Sequence, residues 1–255
     1  MRPVVLLTDF GLADHYAGLL HAVIEGEAPG APRIDLGHQV PPGDVWAASF
    51  ALRCAWPYLP PEAVVLAVVD PGVGTARRAV AVRIGARWLV APDNGLAAAA
   101  GPAGQVVELD PAAMDLPEPS PTFHGRDLFA PAAARLARGE APETLGPPAA
   151  PDLVPCPLPE PTRRDDGRIT GAVLHADRFG NLVSNVPAAW LPPAAEVRCG
   201  WLRIRRRVVT YGEASPGEVV YLEGSCGLME IALNGASAAK LLAVRRGDPL
   251  TVVPA

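Results

Sequence analysis

Lysine is almost missing from this chain. Lys240 is the only one among 255 residues, and the arginines that carry the remaining positive charge are scattered rather than gathered into a patch. With a net charge of −5, the chain offers no footing for a polyanion, and no nucleic-acid partner is expected. Cysteine is also scarce. Cys54, Cys156, Cys199 and Cys226 lie far apart, with no Cys-x-x-Cys and no Cys/His spacing. That argues against a zinc ribbon or a disulfide framework and fits reduced thiols in a cytoplasmic protein. No apolar run is long enough to span a membrane, and 4–7 is too short for a signal-peptide core. There is no His-x-x-x-His, no carboxylate cluster and no thiolate pair, so no metal and no cofactor is expected. The nucleotide-binding P-loop, the full dinucleotide fingerprint and the Gly-x-Ser-x-Gly nucleophile elbow are all absent, as is any internal repeat.

What is present is a globular composition, 49% hydrophobic and 19% charged, enough for one large domain or two smaller ones. Strand-like and helix-like segments alternate through the first half. Residues 3–7, 33–37, 63–69, 79–84, 88–91 and 106–109 read as strands. Asp14 is the expected N-cap of a helix over 15–27, whose Tyr16, Leu19, Leu20, Val23 and Ile24 share one face. Asp44 is placed to cap a second helix from 45 to about 56, stopped by Pro57, and a third is expected over 128–138. This pattern predicts an α/β domain over 1–140 with a mostly parallel, Rossmann-like sheet. Eight prolines between 141 and 161 mark a stiff linker, taken as 141–166. Beyond it, β-like runs at 169–175, 182–186, 196–211, 218–222, 228–233 and 250–253, with one helical stretch at 236–243, predict a small all-β, barrel-like domain over 167–255.

The stretch 68–78, Val-Val-Asp-Pro-Gly-Val-Gly-Thr-Ala-Arg-Arg, concentrates the chemistry. A buried strand delivers Asp70 to its C-terminal end, and Pro71, Gly72 and Gly74 then break regular structure, with Arg77 and Arg78 close behind. In open α/β sheets that edge is where ligands bind. Asp9, Asp93, Asn94 and His124 occupy comparable places, just past a strand or at the entry to a helix. Each alone reads as a cap or turn residue; together they outline one pocket. A histidine grouped with Asp and Arg can orient a water molecule, and Asp9 suits a ribose diol, one carboxylate oxygen per hydroxyl. His38 is expected to be structural. In the second half, Asn181 can donate and accept in the plane of a heterocycle, Ser225 can help hold an anion, and Phe179 and Tyr211 are candidates to stack on a base. Each of these turns also reads as simple hairpin chemistry.

Six motifs then combine in order: Thr-Asp-Phe-Gly at 8–11, Val-Val-Asp-Pro-Gly-Val-Gly-Thr at 68–75, Pro-Asp-Asn-Gly at 92–95, Phe-His-Gly-Arg-Asp at 123–127, Asp-Arg-Phe-Gly-Asn-Leu at 177–182 and Gly-Ser-x-Gly-Leu-x-Glu-Ile-Ala-x-Asn-Gly at 224–235. Over nearly its whole length the chain resembles the S-adenosylmethionine hydrolases, or hydroxide adenosyltransferases, relatives of the fluorinases and chlorinases. The resemblance implies cleavage of S-adenosyl-L-methionine by water to adenosine and methionine, with a preference for the (R)-sulfonium epimer. It places a water-activating triad on Asp70, Arg77 and His124, the ribose on Asp9, adenine on Asn181 and the methionine end on Ser225, near Glu230 and Ala232. It also implies a homotrimer with sites between subunits. Halogenases of the same fold carry tyrosine at the position of Asp70, which makes a halogenase the second reading. A non-catalytic binder of adenosine or S-adenosylmethionine is the third.

Overall fold

Seven short segments form one sheet in the first part of the chain: β1 (Val4–Thr8), β2 (Arg33–Gly37), β3 (Val64–Val68), β4 (Ala79–Ile84), β5 (Arg87–Pro92), β6 (Val106–Glu108) and β7 (Pro148–Ala149). Their spatial order is β2-β1-β3-β5-β4-β6-β7. Strands β2, β1, β3 and β5 are parallel neighbours, while β4 is antiparallel to β5 and β6, and β7 to β6. The expected α/β domain is present, and most of its strands run one way. The sheet is nevertheless mixed, not the fully parallel doubly wound arrangement. The cause is local: Ile84 pairs with Arg87, and a two-residue hairpin turn with Gly85 at φ 62° forces β4 and β5 to be antiparallel.

Side-chain alternation sorts the core into two layers. Val4, Leu6, Val64, Leu66 and Val90 pack with Leu20 and Ile24 of α1 (Tyr16–Glu27) and with Leu136 of α3 (Ala130–Arg138). Val5, Leu7, Val65, Leu89 and Ala91 face the other way, onto Ala48 and Leu52 of α2 (Val45–Ala55). Asp44 caps α2 as expected, its carboxylate accepting from the Ala47 amide at 3.0 Å. Asp14 does not cap α1: that helix starts one residue late, with His15 at the cap position and no side-chain cap. The third helix also starts later than expected, because a π-helical turn, Gly125–Phe129, precedes it.

The structure, a computed structural model, describes residues 1–255 and separates into two units, Met1–Pro157 and Leu158–Ala255. The proline-rich stretch is shared between them. Pro148–Ala149 adds a strand to the first sheet, whereas β8 (Thr162–Arg163) pairs with β9 (Ile169–Ala176) of the second unit. There β10 (Leu182–Pro187), β11 (Ala195–Cys199), β12 (Leu202–Ile204), β13 (Val219–Glu223), β14 (Leu228–Leu233) and β15 (Pro249–Pro254) complete an antiparallel sheet in the order β12-β11-β15-β9-β10-β14-β13. Residues just past β12 bond β13 through the Val208 and Tyr221 amides, which nearly closes the sheet into a barrel. The single β run expected over 196–211 is thus two strands and a return segment. A short helix, α4 (Ala238–Leu242), covers one side. No helix is long and apolar enough to cross a membrane.

Leu66 is fully buried in the middle of β3. Leu66→Ala is expected to cost about 3 kcal/mol through lost burial and a residual cavity, read as a shift of the urea unfolding curve followed by intrinsic fluorescence. A shift equivalent to less than about 0.5 kcal/mol would contradict this packing.

Candidate functional site

The parallel register aligns the ends of neighbouring strands. Thr8 pairs with Val68, so Asp9 and Asp70 leave the sheet at the same edge, and β5, parallel to β3, brings Asp93 and Asn94 there too. Each of these ends is tied down. Asp9 Oδ2 accepts from the Gly43 amide at 2.7 Å, and Gly43 lies against Pro71, where a Cβ would be 3.6 Å from the proline ring. Asn94 donates to the Val69 carbonyl at 2.9 Å. Asp93 is buried, paired with Arg78 at 2.6 Å and accepting from the Val154 amide at 2.8 Å. Asp93 and Asn94 therefore brace the edge and have their polar atoms engaged within the protein. The π turn brings the remaining group. Gly125 packs on Phe10, where a Cβ would sit 3.0 Å from the ring, and this holds His124 beside the Asp9 loop. Phe10, Tyr16 and Phe123 stack edge to face around an open hollow also lined by Thr122 and Arg126.

Asp70, Arg77 and His124 form one hydrogen-bonded cluster. Arg77 Nε lies 3.0 Å from both oxygens of Asp70, and Nη2 reaches Oδ2 at 2.5 Å. The same Nη2 donates to His124 Nδ1 at 2.9 Å. The side chains of Arg77 and Asp70 are only 10% and 6% exposed, and Phe129 lies under the guanidinium, 5.1 Å from Cζ. Because arginine can only donate, His124 Nδ1 must accept, and the neutral ring keeps its proton on Nε2. Burial lowers the imidazole pKa, the Arg77 charge lowers it further, and Asp70 opposes both. The result is a carboxylate with acceptor capacity beside an imidazole N–H donor, a pair that can fix a water molecule in position.

In the second unit, Asp177 organises the 177–181 turn. Its Oδ1 accepts from the amides of Phe179 and Asn181 at 2.9 and 2.8 Å, and Oδ2 from the Asn181 side chain at 3.0 Å. Phe179 projects outward, 79% exposed. Glu230 and Ala232 share the outer face of β14, opposite Met229 and Ile231 of the barrel core. Ala232 packs with Val208, Ala214 and Leu222, so its methyl is already covered. The return segment carrying Val208 and Ala214 also lays Tyr211 on Glu230, hydroxyl to Oε1 at 2.6 Å. Burial raises the Glu230 carboxyl above the usual range against the opposing Tyr211 hydrogen bond, and Asp177 adds to the rise. Ser225 is exposed in the turn between β13 and β14.

Sequence reasoning missed three residues that set this geometry. Gly43 orients Asp9, Phe10 positions the His124 turn, and Phe129 underlies Arg77. Asp177, the first residue of the 177–182 motif, aligns Asn181 across a Gly-containing turn.

An ion-paired, largely buried carboxylate–guanidinium–imidazole cluster on a parallel strand edge, with a second carboxylate alongside, defines the class: a small-molecule site with the groups to position a water. The comparisons narrow this. The model of the SAM hydroxide adenosyltransferase N-terminal domain matches residues 4–146, and that of the C-terminal domain matches 171–251. This chain belongs to the SAM hydroxide adenosyltransferase family. It is 43% identical to the (R)-S-adenosyl-L-methionine hydrolase of Thermus thermophilus, covering 99% of this chain and 100% of that one. It is 45% identical to the enzyme of the same name from Salinispora tropica, over 96% of this chain and 95% of the relative. A fluorinase from an Actinoplanes species matches at 26% identity over 99% of this chain and 97% of its own. Among solved structures, an uncharacterized conserved protein of Thermotoga maritima superposes with a TM-score of 0.89 at 33% identity, over 98% of this chain and 99% of that one.

The His124 environment gives a pH prediction. Its folded value lies below the ordinary 6.5, so as pH falls through the usual histidine range the unfolded chain takes the proton first, and this group subtracts stability. Ring NMR should place the His124 midpoint below 6.5, and Arg77→Met should raise it by removing the nearby cation. An unchanged midpoint in that variant would contradict the Nη2–Nδ1 contact.

Proposed function

We propose that this protein is a cytoplasmic S-adenosyl-L-methionine hydrolase that acts on the (R)-sulfonium epimer. Water attacks ribose C5′, the C5′–S bond breaks with its electron pair going to sulfur, and adenosine, methionine and one proton are released. The observation that carries this reading is the Asp70–Arg77–His124 cluster, in a chain whose family and full-length relatives are named for this chemistry.

The residues match what the reaction demands. A sulfonium is a good leaving group and needs no acid. The difficulty is the nucleophile, since free water has a pKa of about 15.7. His124 Nε2–H holds the water oxygen, and Asp70 accepts a water proton as the new C–O bond forms. Arg77 fixes both groups and keeps the imidazole neutral. The Asp70 carboxylate also faces the substrate's positive charge. Asp9, oriented by Gly43, uses its remaining acceptor capacity on the ribose hydroxyls. Asn181, aligned by Asp177, reads the adenine edge, with Phe179 as a stacking face. Ser225 and Glu230 hold the methionine end, with Tyr211 fixing the Glu230 carboxyl and Ala232 contributing backbone only. A halide is disfavoured as nucleophile because the Asp70 carboxylate would repel it. From the family resemblance, the working assembly is a homotrimer whose sites draw on neighbouring subunits.

Chromatography after separate incubation with each epimer, without added metal, should give adenosine and methionine, faster from the (R) form. Asp70→Asn and His124→Ala should each lower kcat by about a hundredfold or more with a smaller change in KM. Near-normal kcat in both would overturn the triad. For the shared site, co-expressed Asp70→Asn and Asn181→Ala chains should regain activity in mixed trimers that neither homotrimer has. No recovery in isolated mixed trimers would place each site within one subunit.

A further inference from the structure

We infer that His21, Asp35 and His38 form a binding site for a first-row divalent transition ion such as Zn²⁺, sharing no residue with the Asp70 cluster. The three donor atoms all lie within 4.8 Å of one another. His21 Nε2 is 2.9 Å and His38 Nε2 3.0 Å from the same carboxylate oxygen, Asp35 Oδ1. Ligand atoms about 2.1 Å from one ion stand about 3.0 Å apart at about 90° and about 3.4 Å apart at the tetrahedral angle, so both nitrogen–oxygen spacings are close to those of neighbouring ligands on a shared ion. Two imidazoles and a carboxylate are the donor set that suits Zn²⁺, Co²⁺ or Ni²⁺ rather than Mg²⁺ or Ca²⁺.

The surroundings match a built site. His38 is buried, and its Nδ1 lies 2.8 Å from the hydroxyl of the fully buried Thr8. Without an ion, Nε2–H donates to Asp35; with one bound, the Thr8 hydroxyl, which accepts from the Phe10 amide, has a second lone pair for Nδ1–H, and this frees Nε2 to ligate. The Asp35 side chain is 49% exposed and that of His21 30%, so the opposite face is open to solvent ligands. The nearby Arg33 cation is engaged with Glu25 at 2.7 Å and with the His21 carbonyl at 3.1 Å. Because the ligands come from α1, from β2 and from just past β2, no linear motif marks them, and the expectation of no metal is amended here. An ion would clamp α1 to β2 and, through Thr8, steady the end of β1 that carries Asp9.

Zn²⁺ is titrated calorimetrically into chelator-treated, full-length protein, and thermal unfolding is recorded with and without the ion. The expected result is one saturable equivalent per chain and a rise in the unfolding midpoint. His21→Ala, at a partly exposed position that leaves the core intact, should weaken binding at least tenfold and abolish the thermal shift. Thr8→Val should weaken it about tenfold through loss of the His38 anchor, and His15→Ala should change neither readout. No saturable binding would mean that the trio is only a hydrogen-bonded cluster. Undiminished binding in His21→Ala would place the ion elsewhere; either result overturns the assignment.

Discussion

Arg77 stands between a carboxylate and an imidazole, and its guanidinium keeps its proton at any physiological pH. That single fact sets the state of both neighbours. Asp70 is held on two hydrogen-bonding nitrogens of one planar fork, and His124 can only accept at Nδ1. The pair is largely buried, and burying charges is costly unless the geometry compensates. Here the compensation is the fork itself together with the aromatic face of Phe129. Removing Arg77 would leave a buried carboxylate without its partner, a loss on the order of 3–5 kcal/mol by comparison with other broken buried pairs. The interaction therefore does structural and electrostatic work at once.

The rest of the first unit can be understood as what holds that fork in place. Parallel pairing of β1, β3 and β5 brings Asp9, Asp70 and Asp93 to one edge. Asp93 spends its charge on Arg78, which keeps the second arginine of the Arg77–Arg78 pair away from Asp70. His124 sits at the cap position of the π turn that precedes α3, within hydrogen-bonding reach of Arg77. In the second unit the return segment after β12 brings Tyr211 onto Glu230 and gives a buried carboxyl a defined partner.

Much of this was legible from residues alone, for a physical reason. The valine-rich run 63–69 holds a fully buried strand, Asp44 before an apolar helix caps it, and Asp70, followed by Pro71 and Gly72, leaves the sheet just past that strand. The motif order carried the family and both units. What escaped were contacts made by the fold across distant segments. Phe129 under Arg77, Gly43 against Asp9 and Tyr211 on Glu230 join residues tens of positions apart or nearly so. The antiparallel pairing of β4 with β5 was encoded only by the turn at Gly85, and the absent Asp14 cap shows that a favourable residue type does not ensure the bond. His38 alone read as structural; the proposed ion site depends on the fold, which sets Asp35 between it and His21.

The central claim is that the Asp70–Arg77–His124 cluster directs a water molecule onto ribose C5′. The most direct measurement is mass spectrometry of the products of a single turnover in ¹⁸O-enriched water. The account predicts one ¹⁸O atom in adenosine, on the 5′ oxygen, and none in methionine. Adenosine without the label, or label in methionine, would contradict attack at C5′ and with it the assignment of this cluster.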